Sequence, residues 1–196
     1  LKKKMQEENA TLVFEVMDPL NDPHIIEYQE SNLILLDCIK NNTSYSKISY
    51  EELKTFASLE NIEIKELAYT ANNIEEFMSI YEKITSVDYK WKNENIEGFV
   101  IEDASNFMVK TKTYYYDTWK RLRTKVEEAM KNHNFNVKFN DELEESFLTY
   151  IQKKYEHHSS HPEKINIIKE RNEFQKSCKF TDHWTSDDWY RDFHIL

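Results

Sequence analysis

The chain has 196 residues, of which 39% are apolar, 14% aromatic and 32% charged, and with one glycine and three prolines it lacks flexible linkers and low-complexity tracts. That composition excludes a disordered chain and suffices for one large domain, or for a small domain with an appendage. The net charge of −10 argues against a surface that binds nucleic acid throughout, yet residues 1–116 carry 12 Lys/Arg against 21 Asp/Glu whereas residues 117–196 carry 14 against 15.

Thr11 to Met17 is rich in apolar and β-branched residues, Asp18-Pro19-Leu20-Asn21-Asp22-Pro23 breaks it, and Ile25-Ile26 resumes before Leu33 to Ile39, a pattern that predicts three strands. Glu15 stands mid-strand among apolar neighbours, with Phe14 and Val16 on the face that alternation would bury. Ser49 and Glu52 have capping-box spacing before a helix of 8 to 10 residues, and Asn73 can cap a second with Ile74, Phe77, Tyr81 and Ile84 along one stripe. Strands return at Gly98 to Glu102 and Phe107 to Thr113, joined by a four-residue turn at Asp103-Ala104-Ser105-Asn106. From Tyr115 the period becomes helical through Trp119, Leu122, Val126 and Met130. A further helix near Asp141 carries Leu143, Phe147, Ile151 and Tyr155, and another runs from Pro162 towards Lys179. The order implies an α+β first part ending near Tyr116 and a mostly helical second part packed tightly against it.

No apolar run approaches the roughly 20 residues that span a bilayer, and polar residues follow Leu1-Lys2-Lys3-Lys4 where a signal peptide would be apolar. A soluble chain with no membrane partner is expected. Cys38 and Cys178 lie far apart without other ligands beside them, as free thiols of a reducing compartment do. Position 1 is not Met and the first strand follows almost at once, so the chain is expected to begin inside a longer protein.

Three features can carry chemistry. In Ile96-Glu97-Gly98-Phe99-Val100-Ile101 a carboxylate precedes the single glycine at a strand mouth, where it can hold a divalent cation or merely start a strand after a turn. In Phe107-Met108-Val109-Lys110-Thr111-Lys112-Thr113 alternation puts both lysines on one strand face, an arrangement that suits a shared phosphate or a solvent-exposed edge. Between Met108 and Lys125 the local charge is positive, with Lys110, Lys112, Lys120, Arg121, Arg123 and Lys125 opposed only by Asp117. Two other clusters have plainer explanations. His157, His158 and His161 fit a polar helix end better than a zinc site, and Trp184, Trp189, Tyr190 and Phe193, interleaved with aspartates, fit a docked tail better than a base-stacking surface.

The ordered set Phe14-Glu15…Pro19…Ile25-Ile26-Glu27-Tyr28, then Glu97-Gly98-Phe99-Val100, then Lys110-Thr111-Lys112-Thr113-Tyr114-Tyr115-Tyr116 resembles the covalent nucleotidyltransferases, and most closely the family of phage T4 RNA ligase 1. The resemblance covers about residues 10–123 and implies the carboxyl-terminal part of an adenylyltransferase domain over 1–116, an antiparallel sheet with helices, followed by a helical carboxyl-terminal domain over 117–196. It implies that Glu15 contacts the nucleoside and that Glu97 acts through the metal, Mg2+ or Mn2+. Lys110 and Lys112 would bind the phosphates of ATP and support catalysis, with Tyr116 near the nucleotide. The implied reaction joins 5′-phosphate and 3′-hydroxyl RNA ends, a nicked tRNA being one candidate by analogy, in a bacterial or phage-infected cytoplasm. Its alternatives are a non-catalytic nucleotide- or RNA-binding homologue and a DNA ligase or capping-type enzyme. With Gly98 as the only glycine, the chain cannot contain the family's nucleophile motif, Lys-x-Asp/Asn-Gly. A truncated ligase, unable to take up AMP by itself, is therefore expected.

Overall fold

The computed structural model describes residues 5–6, 9–20, 24–135, 138–155 and 165–177. Among the described residues, five helices and two small antiparallel sheets make the α+β architecture that the sequence implied. The chain divides into two compact units, one formed by Leu1–Pro23 with Tyr28–Thr70 and the other by His24–Glu27 with Ala71–Leu196.

In the first unit β1 (Ala10–Met17) pairs antiparallel with β2 (Asn32–Lys40), and the register slips between Val13 and Phe14 so that Leu36 is passed over. Ala10, Leu12 and Phe14 share the inward face and pack on Leu35, Cys38, Leu53 and Ala57. The expected burial of Val16 fails: it lies beyond that packed stretch and is 62% exposed. Helix α1 (Tyr50–Glu60) begins with the capping box of Ser49 and Glu52 and ends at Asn61 in the left-handed region. The segment after it then returns to β2, Leu35 donating to Glu63 and Lys65 to Leu35 through backbone groups.

Ile25 and Ile26 form no strand. They are 1% and 7% exposed, and Ile25 belongs to the core of the second unit with Trp119, Leu122 and Phe147. The apolar pair serves as a plug, its backbone held where Arg171 Nη1 donates to the Ile25 carbonyl at 2.9 Å.

The second unit contains α2 (Ile74–Ile84), the hairpin β3 (Gly98–Glu102) and β4 (Met108–Lys112), and helices α3 (Tyr114–Lys131), α4 (Glu142–Tyr155) and α5 (Ile167–Ser177). Asn73 caps α2 as expected, but of its apolar stripe only Ile84 is buried while Ile74 is 63% exposed. The hairpin turn takes five residues rather than four, because Asp103 accepts from the backbone of both Ser105 and Phe107, drawing Phe107 out of the strand. Trp119, Leu122, Val126 and Met130 form the buried stripe of α3, meeting Phe147 and Ile151 of α4 and Phe174 of α5. Edge-on ring contacts of 5.3 Å from Phe147 to both Trp119 and Phe174 fasten the three helices together. Cys38 is buried and forms no disulfide among the described residues. Cys178, the three histidines and the carboxyl-terminal aromatic cluster lie outside the described residues. Among the described residues no helix is long and apolar enough to cross a membrane.

Candidate nucleotide and phosphate site

Gly98 pairs with Lys112 across the β3–β4 hairpin, Val100 pairs with Lys110, and the two lysines therefore share one face. The glycine is required by proximity: a Cβ there would lie 2.0 Å from the Thr111 carbonyl oxygen and 2.8 Å from Lys112 Cα. Phe99, on the opposite face, meets Tyr89 and Trp91 edge-on at 5.8 and 6.1 Å, which anchors the hairpin from behind.

Immediately after β4, Thr113 turns the chain into α3. Its hydroxyl donates to the Ile96 carbonyl at 2.6 Å and caps the helix by accepting from Tyr116 N at 3.3 Å. The backbone N–H of Thr113 donates to Glu97 O at 3.0 Å, so Glu97 and the start of α3 are tied side by side. Lys112 Nζ donates to Glu97 Oε1 and lies 5.0 Å from the Tyr116 ring centre, with Lys120 Nζ at 5.5 Å from the same ring. Burial raises the Tyr116 phenol above its ordinary value, the Glu97 charge adds to this, and Lys112 and Arg123 oppose it.

Three of the sequence-predicted residues, Glu97, Lys112 and Tyr116, thus form one cluster. The side chains of Glu97 and Lys112 are about a third exposed, at 32% and 29%. Lys110 is exposed and takes part in no ion pair among the described residues, so the two lysines do not share an internal anion: of the two, only Lys112 pairs with Glu97. Glu15 belongs to the other unit, in β1, where it is exposed opposite Ile34.

A second charged cluster was not foreseen as such. Glu144 is fully buried, with Arg121 Nε at 2.5 Å, Lys125 Nζ at 2.6 Å and the Asn140 backbone N–H at 2.8 Å. Burial alone would raise its pKa, but these donors outweigh it and hold the carboxyl down at about 2. The signal in the sequence was Asp141-x-x-Glu144, a helix-capping spacing; Asp141 does cap α4, and Glu144 is diverted to the cations of α3. Arg121 in turn borders a cleft of about 520 Å³ with Lys110 and Lys112 of β4.

Paired cations, one carboxylate and an aromatic ring at a strand–helix junction define a site suited to phosphate chemistry on an α+β scaffold. A family model described as RNA ligase matches residues 1–116, more than half of the chain, and the chain belongs to that family, in its T4 RNA ligase 1 branch. A comparison with curated proteins returns no match. Membership makes the chain RNA ligase-type in function and RNA its substrate in general terms.

Proposed function

We propose that the chain carries the nucleotide-phosphate side of an ATP-dependent RNA ligase that joins 5′-phosphate to 3′-hydroxyl ends in the cytoplasm. The observation that carries this reading is Lys112 held between Glu97 and Tyr116, with Lys110 on the same strand face and in no ion pair among the described residues. In such a reaction an amine attacks the α-phosphate of ATP and pyrophosphate leaves. An oxygen of the RNA 5′-phosphate then displaces the amine, and finally the 3′-hydroxyl attacks and AMP leaves. All three steps build negative charge on phosphoryl oxygens, and fixed cations lower such barriers most.

Lys110 and Lys112 bind these oxygens and neutralise them, Tyr116 borders the nucleotide, and Glu15 contacts the nucleoside. Glu97 is a single oxygen donor, and no group of three or more His, Cys, Asp or Glu able to hold a metal exists among the described residues. That donor set fits Mg2+ or Mn2+, since Mg2+ commonly takes one or two carboxylates together with substrate phosphates and water. When bound, the ion supplies further neutralisation of phosphate charge. The attacking amine belongs to the Lys-x-Asp/Asn-Gly motif that these 196 residues lack, so a segment outside them supplies it and this chain alone takes up no AMP. Residues 1–116 form the carboxyl-terminal part of the nucleotide-binding domain, and 117–196 recognise the RNA, a broken tRNA being the substrate by analogy.

The test incubates the complete protein with radiolabelled ATP or GTP and then offers nicked RNA and nicked DNA. AMP uptake followed by sealing of RNA is the expected result. Failure to take up either nucleotide points to a non-catalytic homologue, and preferential use of GTP or DNA points to the capping or DNA-joining branch.

A further inference from the structure

The cleft beside Lys112 is bounded by α2, β4 and the first two turns of α3, all within the second unit. Its volume of about 520 Å³ falls within the range of small-ligand sites. Its cations are Lys110, Lys112 and Arg121, and it opens beside the amino-terminal end of an 18-residue helix, whose dipole favours an anion.

Two details point to a ligand. Thr118 lines the cleft at 3% exposure, and its hydroxyl has no hydrogen-bond partner among the described residues. Two other helical threonines return the hydroxyl to the carbonyl four residues back, Thr55 to Glu51 at 2.9 Å and Thr124 to Lys120 at 3.1 Å. Thr118 makes no such bond, and leaving a buried hydroxyl unpaired forfeits its hydration without replacement. The second detail is the mounting of Arg121. Glu144, itself fully buried, grips Nε at 2.5 Å, and Asp141 stands 3.5 Å from Nη2, which leaves Nη1 without a partner among the described residues. A guanidinium fixed on one edge and unpaired at the other is preorganised for a phosphate oxygen.

The cleft also holds Asp117, which would repel a bare anion. A ligand that alternates phosphate with hydroxyl satisfies both kinds of group, and the 2′-hydroxyl is the donor that separates RNA from DNA.

We propose that this cleft binds the sugar-phosphate backbone of an RNA strand, Arg121 and the Thr118 hydroxyl taking a phosphodiester and Asp117 accepting from a ribose 2′-hydroxyl. Glu144 is the positioning residue that sets the Arg121 fork. The inference rests on the ligase reading in one respect, that the strand being joined is RNA, and it places that strand next to Lys112, which lines the cleft and pairs with Glu97.

Fluorescence anisotropy with a labelled single-stranded RNA, followed over a KCl series, tests it. Arg121→Gln, which keeps a donor for Glu144, is expected to weaken RNA binding about tenfold and to reduce the salt slope by about 0.7, the value for one phosphate contact on a single strand. Thr118→Val should weaken binding about threefold while its Tm stays level or rises, a pattern that loss of a structural hydrogen bond does not give. DNA of the same sequence should bind more weakly than RNA. Unchanged RNA affinity in both folded variants, equal affinity for DNA, or no RNA binding by the wild-type chain overturns the assignment. The ligase reading is judged separately, by ATP-dependent sealing in the complete protein and its dependence on Lys112.

Discussion

Two clusters of carboxylate and cation flank the amino-terminal half of α3, and they use the same chemistry to opposite ends. At the strand junction Glu97 has one cationic partner, Lys112, and both side chains are about a third exposed. Within the helical bundle Glu144 has two cationic partners and a backbone donor, and it is fully buried. A half-exposed pair contributes about 1 kcal/mol or less to folding, so its groups can exchange one another for a ligand at little cost. A buried carboxylate with several donors cannot be released without leaving charges uncompensated. Burial and partner number, rather than residue type, decide whether a carboxylate can open to a ligand, as Glu97 can, or is fixed and acts only by holding its cations, as Glu144 holds Arg121 and Lys125.

The largest effect that tests this contrast is catalytic. Lys112→Ala in the complete protein should lower RNA sealing by about a hundredfold or more, in line with removal of one group that stabilises developing charge. Stability should fall by no more than about 1 kcal/mol, as expected for a half-exposed pair. Single-turnover sealing and thermal unfolding on the same preparation give both numbers, and parallel loss of activity and Tm would assign Lys112 to the fold.

Glu144→Ala should show the reverse emphasis. Arg121, Lys125 and the Asn140 N–H lose their common acceptor, and breaking such a buried set costs about 3–5 kcal/mol, or roughly 10 °C in Tm for a chain of this size. A Tm within 2 °C of wild type, by differential scanning calorimetry, would remove Glu144 from the fold's essential contacts.

Local signals in the sequence predicted much of this arrangement, because their physics is local. The capping residues Ser49 and Asn73, the α3 stripe from Trp119 to Met130, and the placement of Lys110 and Lys112 on one face each depend on spacing within a few residues, and each is realised. Long-range partners were less legible. The apolar pair Ile25-Ile26 looks like a strand to any local rule, and only the bundle core, with Arg171 donating to Ile25 from 146 residues away, explains its use as a plug. The bond from Lys112 to Glu97 was equally hidden, since the chain returns through a turn whose register decides which carboxylate the lysine meets. The ligase assignment came from the order of three short motifs, each weak alone, and the family match over residues 1–116 supports it at the level of an RNA ligase.

The finest test of the contrast is titration. The Glu144 carboxyl is held at about 2 in the folded chain against an ordinary value of 4.5. Because the folded value is depressed, the ionised form stabilises the fold above pH 4.5, and that contribution is lost as pH falls towards 2. Over that window the loss is about 3 kcal/mol. Carboxyls at Glu52, Glu76, Asp103 and Glu173 are also lowered, by hydrogen bonds from their neighbours, so the total acid response of the chain does not isolate Glu144. Comparison with Glu144→Gln does, since the substitution removes this titration and leaves the others. The stability difference between wild type and Glu144→Gln, from urea unfolding at several pH values, should be flat between pH 5 and 7 and shrink by about 3 kcal/mol on approaching pH 2. A difference independent of pH would mean that Glu144 is not held ionised by Lys125, Asn140 and Arg121, and the distinction between the two clusters would then rest on burial alone.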